Sequence, residues 1–352
     1  MVVMVGIDVH KKTHCAVAVD ATGRQLGTPV TVRATDAGHR QLLRWTQRSF
    51  AEERVEFAVE DCRHVSVRLE RALLAAAAVV LRVPPKLMAQ TRASARTRGK
   101  SDPIDALAIA RAALREPNLP RAEHTHASRE LKLLVDHRDD LVAARTQAQN
   151  RLRWHLHELD PEFDPPARGL DRICQLDRVQ ARLEALPATL VRRIALELLA
   201  DIRALTVRIN ALHNELTALV KAQAPQLLTL PGCGPLTAAK LLGETANPAR
   251  FRSEAAFAMH AGVAPIPASS GKTDRHRLAR GGNRQLNAAL HRIAVTQIRL
   301  DGLGRAYYQH RLDRHDTKME ALRALKRRLA RVVFHLLRPT DRTAAAPLPQ
   351  AA

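Results

Sequence analysis

The sequence predicts an α/β domain at the N-terminus, a helical middle and a mainly α-helical C-terminal part. Three observations carry that prediction: β-branched residues alternate along the first 33 positions, apolar residues recur at heptad spacing from Ala195 to Leu219, and basic side chains crowd the last third of the chain. Val2 to Asp8 and His14 to Val19 have the period of two that a strand requires, and the turn residues around Gly23 and Gly27 lead to a third strand through Val32. Three strands in succession predict an antiparallel meander. Asp36 is expected to cap a helix running to Arg48. Val55 to Glu60 then reads as a strand, Val65 to Ala77 as a helix, and Val79 to Val83 as a strand stopped by Pro84-Pro85. A further helix begins at Asp102-Pro103, where proline suits a first turn, and ends near Arg115 before Pro117.

The resulting order, βββαβαβα, is that of the ribonuclease-H-like fold, expected over residues 1–125. From 126 to 224 the pattern changes. Ala195, Leu198, Ile202, Leu205, Ile209, Leu212, Leu216 and Leu219 follow strict 3-4 spacing, a narrow seam that predicts a coiled coil. A helix from about Glu130 to Leu159 can pair with it across the Pro-rich turn Asp160 to Ala167, although Arg138 and Arg145 interrupt its own seam. Spacing alone leaves open whether the partner is that helix or a second subunit. Residues 225–343 form a third region, dense in Gly and Pro at its start and Arg-rich at its end. The tail, 344–352, is rich in Ala and Pro and is expected to be disordered.

Composition narrows the partners. The 352 residues hold 56 Lys and Arg against 35 Asp and Glu, a net charge of +21, and 46% are apolar, enough for packed cores. A charge of that size points to a polyanion. Aromatics amount to 3%, too few for modules that stack bases on Phe and Tyr platforms, so contacts should go to phosphates. Arg accounts for 46 of the cations and suits bidentate phosphate contacts. Between Lys272 and Arg338 lie 17 basic and five acidic residues, which places +12 of the total in that stretch. The four cysteines, Cys15, Cys62, Cys174 and Cys233, form no CxxC pair, which argues against a zinc ribbon. The longest apolar run, Ala72 to Leu81, is half a membrane span, and no signal-peptide pattern opens the chain; a cytoplasmic protein is expected, nucleoid-associated when bound to DNA.

Four acids stand out. Asp8 ends the first strand, Glu60 ends a later one, and Asp102 and Asp105 lie three apart on one helix face. Carboxylates about 4 Å apart repel by roughly 4 kcal/mol per pair at an effective dielectric near 20. A convergent set therefore calls for divalent cations, Mg²⁺ or Mn²⁺ for oxygen ligands, which can hold the attacking and leaving oxygens of a phosphodiester. The His10/His14 pair falls on a strand-turn region rather than a helix face, and no metal role is expected for it. Leu230-Pro231-Gly232-Cys233-Gly234 has the form of a helix-hairpin-helix turn, in which Gly232 and Gly234 let backbone N–H groups approach a DNA phosphate. Downstream, Ser269-Ser270-Gly271-Lys272 precedes Arg275, Arg277, Arg280 and Arg284. A serine among guanidinium groups can attack phosphorus while the cations stabilise the phosphoryl oxygens. Spacing alone does not separate that reading from an ordinary polar loop.

Val5-Gly6-Ile7-Asp8-Val9-His10-Lys11-Lys12, Val59-Glu60, Lys100-Ser101-Asp102-Pro103-Ile104-Asp105-Ala106, the Leu-Pro-Gly-Cys-Gly hairpin, and Ala261 to Pro265 with Ser270-Gly271 downstream resemble, in order, the DEDD transposases of the insertion sequence 110 family. The resemblance implies a RuvC-like domain, a dimerising coiled coil and a C-terminal transposase domain. It matches Asp8, Glu60, Asp102 and Asp105 to the metal-binding acids and Ser270 to a serine that becomes covalently linked to a DNA strand beside the acids of a partner subunit. Implied partners are double-stranded DNA at element ends and target, a structured guide RNA, and further copies of the chain in a homodimer or tetramer. Two departures stand: Asp61-Cys62-Arg63-His64 replaces the usual Thr-Gly after the strand-end glutamate, and Ser101 replaces the Thr before the third acid. A RuvC-type junction nuclease, which needs the acids without Ser270, and a non-catalytic nucleic-acid-binding protein remain open alternatives at this point.

Overall fold

The computed structural model describes residues 2–60, 65–84, 87–88, 91, 101–116, 119–123, 126–269, 276–279 and 281–338. They form two compact units: Met1–Thr125 with Ala246–Asn287 and Ala330–Arg338, and His126–Thr245 with Ala288–Leu329.

The first unit is built on a five-stranded mixed sheet. Strands β1 (Val2–Val9), β2 (Thr13–Val19) and β3 (Gln25–Arg33) form the antiparallel meander, and β4 (Arg54–Glu60) and β5 (Val79–Val83) add parallel to β1, giving the order β3-β2-β1-β4-β5. Alternation decides which side chain goes where. Val3, Val5, Ile7, Phe57, Val59 and Val80 face one way and pack under helices α1 (Asp36–Ser49) and α2 (Val67–Ala75), against Leu42, Leu69 and Leu73. Each of these fully buried aliphatic side chains stabilises the fold by about 1.5–3 kcal/mol. Met4, Val17, Val19 and Ala58 face the other way, under helix α3 (Asp102–Arg115), which contributes Ala106, Ile109, Ala110 and Ala113. The cap of α1 is Thr35 rather than Asp36: the Thr35 hydroxyl accepts from Gly38 N at 3.2 Å, and Asp36 sits inside the first turn, where it pairs with Arg68 at 2.8 Å.

The same unit takes in helix α8 (Glu254–His260), the short strands β6 (Pro265–Pro267) and β7 (His276–Leu278), and the end of helix α11 (Lys318–Leu337). Asn247 donates to Glu123 at 2.6 Å and Arg250 to the Arg121 carbonyl at 3.1 Å, fastening this later stretch to the N-terminal sheet region. Glu254 pairs with Arg331 at 3.0 Å, and Phe257 packs on Phe334 with ring centroids 5.6 Å apart.

The second unit is helical. Helix α4 (His126–Leu159) and helix α6 (Leu190–Gln223) lie antiparallel, since Leu152 and Leu156 pack on Ala195, Leu199 and Ile202, whereas Arg145, earlier in α4, reaches Thr206, later in α6. The heptad seam is thus shared out within the chain. Ala195, Ile202, Ile209 and Leu216 are buried together with Leu199, Thr206 and Val220, whereas Leu198, Leu205, Leu212 and Leu219 stay half-buried. Arg145, which broke the seam of α4, is accommodated by Thr206 at 3.2 Å and Asp171 at 2.9 Å. Helix α5 (Ile173–Glu184) closes one end of this pair, and helix α7 (Pro235–Thr245) packs along α4 through the Lys240–Asp139 pair at 2.7 Å and the Lys132–Glu244 pair. Helices α9 (Arg284–Arg299) and α10 (Leu303–Asp313) supply most of the remainder. The largely helical character of the C-terminal part follows the prediction. Among the described residues no helix is long and apolar enough to cross a membrane.

Candidate active site

The candidate site grows from the α3-facing side of β1. Gly6 and Asp8 are two residues apart and therefore share that face. A Cβ on Gly6 would stand 2.1 Å from the Ala106 carbonyl oxygen and 2.5 Å from Ala110 N, so only glycine lets α3 lie directly on the strand. This approach sets the first turn of α3, with Asp102 and Asp105, over the end of β1. The parallel register pairs Ile7 with Val59, so Glu60 comes next to Asp8 at the carboxyl edge, on the same face as Ala58. The glycine accounts for the approach of Asp102 and Asp105 to Asp8, and strand order and register put Glu60 at the end of the neighbouring strand.

Their electrostatics are those of a crowded carboxylate cluster. Burial, the largest cause, and then the charges of Asp105 and Asp102 push the Asp8 carboxyl above the usual range, and His10 opposes them. Burial also raises the Cys15 thiol, with Asp102 and Asp8 adding to the effect. His10 Nε2 lies 3.0 Å from Asp8 Oδ2 and 3.4 Å from Asp102 Oδ1. Ligand atoms of Asp8, His10 and Asp102 all fall within 4.8 Å of one another. Two carboxylates and an imidazole at that separation, with a third carboxylate raising the charge, are a donor set suited to a divalent cation.

The structure separates the two histidines of this segment. His10 stands one residue beyond the end of β1 and turns its ring toward Asp8 and Asp102. His14 turns to the opposite face and stacks on His39, with ring centroids 5.3 Å apart and Nε2 atoms 3.2 Å apart. Both rings are buried, each Nδ1 lacks a hydrogen-bond partner, and burial lowers His14 to about 4.

Ser270, Lys272, Arg275 and Arg280 lie outside the described residues. The stem on either side of them is described. Arg277 on β7 and Arg284 at the start of α9 are both exposed. At the base, Gly262 has φ +67° and Gly282 abuts it so closely that a Cβ would meet Gly262 N at 2.2 Å. Asn287 Nδ2 donates to the Gly262 carbonyl at 2.8 Å and the Ala261 carbonyl at 3.2 Å, and Asn283 N donates to the His260 carbonyl at 2.6 Å.

In the second unit, the 3₁₀ turn Pro225–Thr229 precedes Pro231–Gly234, and α7 follows. Gly232 has φ +83°, and a Cβ there would press on Thr296 at 2.9 Å, so its conformation serves packing against α9. Gln297 fastens the same turn through the Pro231 carbonyl at 2.8 Å. Gly234 is exposed, with open space around it. Cys233 between them is buried, which pushes its thiol up to about 12.

Comparison with known proteins bears on this geometry. Residues 5–161 match the IS110 DEDD family model described as "Transposase", and residues 224–309 match "Transposase IS116/IS110/IS902 family". The insertion element IS116 uncharacterized 44.8 kDa protein of Streptomyces clavuligerus is 27% identical over 99% of this chain and 97% of that protein. The insertion element IS110 uncharacterized 43.6 kDa protein of Streptomyces coelicolor is 30% identical over 68% of this chain and 71% of its own length. Among solved structures, T. thermophilus RuvC in complex with Holliday junction substrate aligns with 35% of this chain and 100% of its own at 16% identity and a TM-score of 0.27. On the family matches and the IS110 relative, the chain belongs to the IS116/IS110/IS902 family of transposases and is a DNA transposase.

Proposed function

We propose that this transposase cuts and rejoins DNA strands with two sets of groups: the metal-binding acids Asp8, Glu60, Asp102 and Asp105, and the nucleophile Ser270. The observation that supports the first half is the nearness of Asp102 and Asp105 to Asp8 where α3 lies on Gly6. A bound Mg²⁺ or Mn²⁺ supplies neutralisation of charge on phosphate oxygens. Asp8, Glu60, Asp102 and Asp105 hold it, and their mutual repulsion in its absence is the counterpart of their affinity. In the second half, Ser270 Oγ forms the bond to phosphorus as the strand's bridging P–O bond breaks. The serine loses its proton and the leaving oxygen gains one. Lys272, Arg275, Arg277, Arg280 and Arg284 stabilise the charge on the non-bridging oxygens. Gly232 and Gly234 contact DNA backbone. A structured RNA guides the choice of double-stranded donor and target, and copies of the chain assemble as a homodimer or a tetramer.

The deciding experiment separates the two halves. Ser270→Ala keeps the loop's size and charge, so DNA and RNA binding persist while strand exchange and the covalent protein–DNA adduct vanish. Asp102→Asn abolishes metal-dependent strand transfer with a small effect on binding. The two variants complement each other in mixed dimers if the serine of one copy acts beside the acids of another. An adduct that survives Ser270→Ala removes Ser270 from the mechanism, and cleavage that survives it without an adduct favours a metal-only junction nuclease.

The oligomer has its own test. Ile202 and Ile209 are buried inside the chain's own helix pair, so charges there would break the fold as well as an interface. Leu205 and Leu212 are the informative positions: Leu205→Asp with Leu212→Asp should halve the mass seen by light scattering while leaving helix content unchanged, and an unchanged mass places the interface elsewhere.

A further inference from the structure

The metal reading names four acids, and the structure sets a histidine beside two of them, Asp8 and Asp102. We propose that His10 is itself a ligand of the metal, its Nε2 completing with Asp8 and Asp102 a mixed nitrogen–oxygen set that discriminates for Mn²⁺ over Mg²⁺. The inference rests on the metal reading above and deepens it.

Geometry comes first. A cation about 2.0–2.2 Å from each donor requires neighbouring donors about 3 Å apart and opposite donors just over 4 Å apart. The His10 nitrogen stands 3.0 and 3.4 Å from the two carboxylate oxygens, and the three ligand atoms fit within 4.8 Å. The imidazole is placed by the backbone: His10 N donates to the Thr13 carbonyl at 3.0 Å, closing the β1–β2 turn. Its side chain is 48% exposed, so no core packing explains its position between the two acids.

Charge supplies the second argument. Asp8 and Asp102 bring two carboxylates to one point, so a further anionic ligand would add to their mutual repulsion. A neutral imidazole adds a donor without adding charge. Its softness supplies the third: carboxylate and water suit Mg²⁺, whereas imidazole raises affinity for later divalent ions, with Mn²⁺ the first along that series. His14, the other histidine of this segment, is buried on the opposite face against His39 and cannot substitute.

The test uses the full chain and Mn²⁺ alone, read by pulsed electron paramagnetic resonance. Bound Mn²⁺ should show the modulation of a directly coordinated ¹⁴N, absent in His10→Gln and retained in His14→Gln. Mn²⁺ affinity should fall about tenfold or more in His10→Gln, and Mg²⁺ affinity, measured by competition, should change less than about threefold. Because His10 is exposed, His10→Gln should fold as the wild type does, and an unchanged circular dichroism melt checks it. Mn²⁺ bound through Asp8 and Asp102 without ¹⁴N coupling, or coupling that persists in His10→Gln, overturns the ligand role and leaves the acids' role intact. Absence of any Mn²⁺ binding that Asp102→Asn removes overturns both.

Discussion

The two faces of the N-terminal sheet are packed by different rules. On the α1 and α2 side, large side chains such as Ile7, Leu42, Phe57, Leu69 and Leu73 keep the helices at a distance, and the polar groups admitted there, His14 and His39, are sealed against each other. On the α3 side, glycine and alanine bring helix backbone against strand backbone, and the polar groups stand at the open edge. The difference teaches that a site of this kind needs a thin layer: residue volume sets how far the carboxylates of α3 stand from that of β1.

The largest effect should come from thickening that layer. Gly6→Ala places a Cβ against the Ala106 carbonyl, which cannot retreat without the whole helix. We expect a loss of about 3 kcal/mol or more in denaturant unfolding, together with loss of Mn²⁺ binding in whatever fraction folds. Wild-type stability and metal affinity in this variant would break the comparison. Thinning the other face should act on stability alone. Leu42→Ala leaves a cavity under α1 and should cost about 2–5 kcal/mol, with metal affinity per folded molecule unchanged.

The smallest effect is a pH dependence. His14, held at about 4 when folded, binds a proton below about 6.5 once unfolded, so the unfolded state gains protons first as pH falls. The stability present at pH 7.5 should decline through pH 6 toward 4, by about 2 kcal/mol at pH 5 from His14 alone. His39, lowered by the same burial, acts in the same direction. Denaturation midpoints at pH 7.5 and 5, compared with those of His14→Phe, check it; a variant with the same slope assigns the dependence to other groups.

Legibility followed locality. Strand alternation and turn glycines are local, and the meander, both parallel strands and α3 lie where the pattern put them, with Thr35 in place of Asp36 as cap because its hydroxyl, one residue earlier, is already positioned to accept from Gly38 N. The heptads of α6 announced a seam but not its partner, since an apolar stripe is satisfied equally by another helix of the chain or of a second copy. Part of it, through Ala195 and Ile202, meets α4. The nearness of Asp102 and Asp105 to Asp8 was legible because a strand end and one helix turn have known directions. The placement of His10 between Asp8 and Asp102 was not, because it depends on the turn closed to the Thr13 carbonyl and on how closely α3 lies on Gly6. At Gly232 the turn motif was legible, but the packing of its α-carbon on Thr296 of a later helix was not.

The interleaving of the first unit has a consequence for biosynthesis. Its sheet is made from the first 83 residues, yet Phe257 waits for Phe334, and Glu254 for Arg331 and His335. A chain emerging N-terminus first exposes an apolar α8 face until α11 has left the ribosome, so a nascent or prematurely terminated product lacks its clasp. Assembly of a complete first unit is thereby tied to translation past α11.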